Sequence, residues 1–180
     1  MKKTMLATSL VLSLGLTSSA FAKDGTVVIE GKITDQTCII NNFTSDKDIK
    51  VKLPTVKKDS LASTGETAGR TPFKIELTGC KAASAEQQVK AFFLPDAAKV
   101  NAEGRLKNTG SATNVDVQLL NADGTTGILA GENITTQNVT PVSLNNAETG
   151  TLQYNAQYYA TGAATAGDVK ATVDFNIVYE

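Results

Sequence analysis

The strongest constraint on how this 180-residue chain can fold lies in its final stretch, Gly167 to Glu180. Val169, Ala171, Val173, Phe175, Ile177 and Tyr179 are apolar, and Asp168, Lys170, Thr172, Asp174 and Asn176 alternate with them. Successive side chains of a β-strand leave the backbone on opposite sides, so a period of two marks a strand with one buried and one solvated face. Val178 is the one break. The stretch is longer than the usual strand of about five or six residues, and the alternation runs to the end of the sequence. The expectation is a strand whose free edge needs a neighbour, from elsewhere in this chain or from another one.

A second alternating stretch, Gly25 to Cys38, lies near the other end. Gly25, Val27, Ile29, Gly31 and Ile33 share one face, and Thr26, Glu30, Lys32 and Thr34 share the other, with Val28 the exception. Glycines on the apolar face leave core positions unfilled and permit close backbone approach. Between the two, Ile49, Val51 and Leu53 form a short apolar piece before Pro54, and Ser60 to Arg70 is rich in turn residues. Phe73, Ile75 and Leu77 predict a strand leading to Cys80. Lys81 to Gln88 reads as a loop with at most one helical turn. Further strands are predicted at Val89–Leu94, Val115–Leu119 and Leu152–Tyr159, with short pieces at Ile128-Leu129, Val139 and Val142–Leu144. Turns are predicted at Asn121–Gly124 and Thr161–Gly167. Roughly seven to nine short strands without a convincing helix argue for an all-β antiparallel sandwich.

The chain opens with Lys2 and Lys3, an apolar run from Met5 to Leu16 and the small-x-small triplet Ala20-Phe21-Ala22. This is the pattern of a secretory signal peptide over residues 1–22, and the apolar run is short for a membrane span, which needs about 20 residues. Its removal takes away two of the 17 basic residues and none of the 18 acidic ones, leaving a net charge of −3. With no basic face, nucleic acid is not an expected partner. An isolated pair of cysteines in an exported chain, Cys38 and Cys80, most simply forms one disulfide. It closes a loop of about 43 residues, worth roughly 4 kcal/mol on the chain-entropy account. The alternatives are two free thiols or half a metal site. Zinc would call for further Cys or His ligands, and the chain has no histidine.

The same lack of histidine removes the usual proton shuttle near neutral pH and rules out Ser-His-Asp or Cys-His catalysis within the chain. Asp46 and Asp48 sit in a polar run among lysines and read as a solvated face. No enzyme activity and no cofactor are expected.

Four stretches together carry a family resemblance: Gly25 to Cys38 at the first cysteine, Phe73-Lys-Ile-Glu-Leu-Thr-Gly-Cys80 at the second, Ser111 to Leu120, and Tyr158 to Gly167 running into the terminal strand. The sequence resembles the major structural pilins of type 1 fimbriae, assembled by the chaperone–usher route in Gram-negative bacteria. The family's terminal signature is a penultimate Tyr and a Gly fourteen positions from the end, here Tyr179 and Gly167. The resemblance implies an immunoglobulin-like sandwich lacking its final strand, with residues 34–180 forming the pilin domain. It implies that residues 23–33 are a donor extension, with Gly25, Val27, Ile29, Gly31 and Ile33 facing a neighbouring subunit. It also implies that Gly167, Val169, Ala171, Val173, Phe175, Ile177 and Tyr179 line the groove that accepts either that donor or a periplasmic chaperone's strand. The implied partners are neighbouring pilin subunits, the chaperone and an outer-membrane usher. The implied location is a fimbria on the cell surface, reached through the periplasm. The extension before Gly25 is short, only Lys23 and Asp24, so Val27 and Ile29 are the expected anchors.

Overall fold

The structure is a computed structural model, and it describes residues 38–40, 48–81, 87–145 and 148–180. Among them are seven β-strands and one short 3-10 helix, Lys58–Leu61. The strands are β1 (Ile39–Ile40), β2 (Thr67–Thr78), β3 (Gln88–Phe93), β4 (Val115–Asn121), β5 (Val142–Ser143), β6 (Gly150–Ala160) and β7 (Phe175–Tyr179). Every pairing between them is antiparallel. They form a four-stranded sheet in the order β1-β2-β6-β4 and a three-stranded sheet in the order β5-β3-β7. The signal stretch 1–22 and the extension 23–33 lie outside the described residues.

The core fills the space between the two sheets with the alternate residues that the period of two directs inward. Ile75 and Leu77 of β2, Leu152 and Tyr154 of β6, Val117 and Leu119 of β4, and Val89, Ala91 and Phe93 of β3 form one buried cluster. Large residues face small ones across the ladders: Leu119 opposes Ala156, and Leu77 opposes Gly150. Tyr154 sets an edge-on ring contact with Phe93 at 5.6 Å between centroids, linking the two sheets. Such a pair adds about 0.5–1.5 kcal/mol to its area burial.

A disulfide joins Cys38 to Cys80, with Cα atoms 4.1 Å apart. Cys38 immediately precedes β1, and Cys80 is fully buried just beyond β2, so the bond fastens the two paired strands at one end.

Three sequence expectations change. β2 starts at Thr67, inside the stretch read as turn-rich, because a register shift between Ala68 and Thr71 interrupts its alternation. Gly69 sits in that bulge at φ +67°, a backbone shape that glycine adopts without strain. Ile128-Leu129 and Val139 are not strands. Ile128 instead donates a single backbone hydrogen bond to Leu119 at 2.9 Å and buries its side chain beside β4. The terminal strand is assigned only from Phe175. Its partner β3 ends at Phe93, and the chain then turns at residues 97–99, where the N–H groups of Lys99 and Val100 both donate to the Asp96 carbonyl. The last bond in register runs from Leu94 N–H to the Asp174 carbonyl, 2.8 Å.

Candidate functional site

Residues 168–174 alternate between exposed and half-buried, although among the described residues no β-strand lies beside them. The stretch around residues 108–112 holds them instead. Thr109 N–H donates to the Lys170 carbonyl and Ala112 N–H to the Asp168 carbonyl, at 2.8 and 3.0 Å. The Asn108 side chain accepts from Lys170 N–H at 2.9 Å, and the Ser111 hydroxyl accepts from Asp168 N–H at 2.9 Å. Two glycines permit this approach. A Cβ on Gly167 would stand 2.5 Å from the Ala112 nitrogen, and one on Gly110 would stand 2.1 Å from the Asp168 oxygen. The Gly167 of the terminal signature is therefore required by close packing of two backbones.

The far end of the segment is fastened as well. Glu180 N–H donates to the Gln88 carbonyl at 2.9 Å. The Glu180 carboxylate pairs with Lys90, whose side chain is largely buried. The Tyr179 hydroxyl donates to Cys38 Sγ at 3.1 Å, tying the penultimate residue to the disulfide. Near the middle, Asp174 pairs with Lys99 at 2.6 Å. Hydrogen bonding to Asp174, with its charge, raises the Lys99 pKa above its ordinary value.

Ladder parity fixes the direction in which the backbone groups of this segment point. The bonds from Glu180 to Gln88 and from Leu94 to Asp174 show that even-numbered residues of this segment turn their N–H and C=O towards β3. Adjacent residues in a strand present these groups to opposite sides. Val169, Ala171, Val173, Phe175, Ile177 and Tyr179 therefore present theirs away from β3. β7 is the last strand of its sheet on that side among the described residues. The same odd-numbered residues carry the apolar side chains. All six are only partly buried against the core, and from 169 to 176 they alternate with exposed polar ones. Among the described residues, Val169, Ala171, Val173, Ile177 and Tyr179 thus supply both an open backbone edge and an incompletely covered apolar face.

Across the groove from this edge lies the stretch 48–53, which joins neither sheet. Ile49, Val51 and Leu53 are partly buried and alternate with exposed Asp48, Lys50 and Lys52. Between the two walls lies a groove of about 950 Å³. Its floor is core: Phe73, Ile75, Phe93, Leu106, Leu119 and Ala156. The alternation from Val169 onward predicts the first wall; the second consists of Ile49, Val51 and Leu53, an apolar piece in the sequence whose own alternation is the signal for it. The structure brings Val169, Ala171, Val173 and Phe175 together on the groove, while Ile177 and Tyr179 continue the same face towards the disulfide. Gly25, Val27, Ile29, Gly31 and Ile33 lie outside the described residues. No group of three or more metal-ligating side chains occurs among the described residues.

The family model for type-1 fimbrial protein A matches residues 53–180. The chain belongs to this family of fimbrial pilins. It is similar to the F17 fimbrial protein of Escherichia coli, at 47% identity over 94% of this chain and 95% of that one. It is also similar to a major fimbrial subunit of Stenotrophomonas maltophilia, at 42% identity over 89% of this chain and 95% of the relative. A minor fimbrial subunit of Haemophilus influenzae is 40% identical, covering 89% of this chain and 76% of the relative. In fold, the pilin resembles the P pilus rod subunit, with a TM-score of 0.58 and 22% identity over 79% of this chain and 99% of that one. It likewise resembles a subunit in a chaperone–usher pilus structure, with a TM-score of 0.60 and 19% identity over 88% of this chain and 96% of that one. The expected all-β, immunoglobulin-like pilin fold is thereby established.

Proposed function

We propose that this pilin is the repeating shaft subunit of an adhesive fimbria, joined to its neighbours by donor-strand exchange. One observation carries the reading: the open edge of the 169–179 segment and the uncovered apolar groove belong to the same residues. A strand laid in that groove satisfies the backbone and fills the core in one step, which is the physics of strand addition. The donor is the extension of residues 23–33 from the next subunit, whose Val27 and Ile29 alternate to match. Each such side chain contributes roughly 1.5–3 kcal/mol on burial, before ordering costs. With a donor at one end and an acceptor groove at the other, the contact is heterologous and generates an open filament.

Until assembly, a periplasmic chaperone fills the groove and an outer-membrane usher receives the subunit, placing the fimbria on the surface of a Gram-negative cell. The role is structural and not catalytic. Deleting residues 23–31 tests it. The truncated subunit should reach the periplasm and fold on its chaperone, yet form no filament with its own kind. Filaments of normal length and yield from that deletion would overturn the proposal.

The likeness to a minor fimbrial subunit of Haemophilus influenzae favours a second reading, a minor or tip-adaptor pilin with direct receptor contact. Abundance separates the two. A shaft subunit dominates the protein in sheared filaments, and an adaptor is present as a small fraction.

A further inference from the structure

The solvent face of the open edge carries a charge pattern of its own. Along the 168–174 segment the outward residues are Asp168, Lys170, Thr172 and Asp174, all exposed. Asp174 is already answered by Lys99 at 2.6 Å. Asp168 and Lys170 make no side-chain ion pair among the described residues. In the sequence of the 23–33 extension, the residues that alternate with Gly25, Val27, Ile29 and Gly31 are Asp24, Thr26, Val28, Glu30 and Lys32.

We propose that Lys170 and Asp168 set the direction and register of the incoming donor strand by pairing with its Glu30 and Lys32. This rests on the donor-strand reading above. Only registers that place odd residues opposite odd residues keep Val27 and Ile29 over the groove, because directly opposed residues share a face. Within that set, one antiparallel alignment places Glu30 beside Lys170 and, with no further adjustment, Lys32 beside Asp168. Neutral Thr26 then meets the already paired Asp174. A slip of two residues one way puts Lys32 against Lys170. The opposite slip puts Glu30 against Asp168 and Asp24 against Asp174. No parallel alignment makes more than one favourable pair.

The inward face supports the same alignment independently. It sets Gly25 opposite Phe175, Val27 opposite Val173, Ile29 opposite Ala171 and Gly31 opposite Val169. Bulk therefore faces smallness at three of four places. The seven residues Gly25–Gly31 also span the wall of the groove, Val169 to Phe175, from end to end. The even-numbered pairs fall at the non-hydrogen-bonded sites of this ladder, where Cα atoms approach to about 4.5 Å and side chains lie closest.

Cross-linking within filaments of the full mature chain is the test. The double variant Glu30→Cys/Lys170→Cys should yield a ladder of covalent oligomers on a non-reducing gel after mild oxidation. The control Glu30→Cys/Thr172→Cys should give only background. An equal or stronger ladder from the control, or none from the first variant in assembled filaments, would overturn the alignment. Charge reversal gives a second measurement should the cysteine variants fail to assemble. Glu30→Lys or Lys170→Glu alone should increase filament dissociation about two- to fivefold at low salt, and the two together should restore it. Failure of the double reversal to restore would overturn the pairing even where filaments form. Absence of filaments from the unsubstituted chain would overturn it together with the reading it rests on.

Discussion

The three-stranded sheet has two flanks, and the chain treats them differently. On the far side of β3 the neighbour β5 is only two residues long and pairs with Gln88 and Val89. Beyond it, side chains do the work of a strand. The Tyr154 hydroxyl accepts from Ala91 N–H at 3.2 Å. The buried Gln137 amide accepts from Phe93 N–H at 3.1 Å and donates to the Phe93 carbonyl at 2.6 Å, reproducing both bonds of a ladder pair. On the other flank no such closure is built among the described residues. Val169, Ala171, Val173, Ile177 and Tyr179 turn their backbone groups towards the groove and cover it with half-exposed apolar side chains. Burying an unpaired backbone group costs about 1–3 kcal/mol, and one flank avoids that cost within the monomer. Among the described residues, the open flank is thus a selective omission beside an edge that is closed residue by residue.

The largest expected effect comes from opening the closed flank. Gln137→Leu keeps the volume but strands the buried N–H of Phe93, leaves the Phe93 carbonyl with only the Gly131 N–H at 3.2 Å, and also removes a bond to the Glu132 carbonyl at 2.9 Å. A loss of about 3 kcal/mol is expected, read as a lower denaturation midpoint of the donor-complemented subunit. An unchanged midpoint would show that side-chain closure of β3 contributes nothing.

Gly167→Ala comes next and acts on how the open flank is held. The added methyl would force apart residues 111–112 and the terminal segment. A loss of about 1–3 kcal/mol is expected, as for overpacking elsewhere, with slower donor uptake because the edge no longer lies straight.

Tyr154→Phe is milder, about 1 kcal/mol for one hydrogen bond, but it carries a pH signature. Burial pushes the Tyr154 phenol up from 10.0 to about 12. A group whose folded pKa is raised contributes stability that is complete below its unfolded pKa and is lost as pH rises through the folded one. The wild type should therefore lose stability between pH 10 and 12 more steeply than Tyr154→Phe. Parallel alkaline unfolding curves would contradict this.

The smallest effect is expected from Tyr179→Phe, which removes only the bond to Cys38 Sγ. The expected cost is below about 1 kcal/mol, with local loosening of the last residues visible by hydrogen exchange.

The open flank was more legible in the sequence than the closed one, for a physical reason. A half-covered strand needs strict alternation, and Val169 through Tyr179 display it undisguised. Gln137 and Tyr154 close the other edge through side chains that arrive from 44 and 63 residues away, and no local pattern announces such a contact. The bulge at Gly69 hid the first third of β2 because one irregular step reverses which residues face inward. The wall at Ile49, Val51 and Leu53 was short enough to be read as a fragment, and only the groove gives it a role.

Site-resolved hydrogen exchange tests the difference between the flanks most directly. The chain lacking residues 23–33 would be measured alone and after addition of a peptide of residues 23–35. The amides of Ala91 and Phe93 should be protected in both states. Those of Val169, Ala171, Val173, Ile177 and Tyr179 should exchange rapidly alone and become protected together when the peptide binds. Equal protection of those five amides before and after peptide addition would contradict the account.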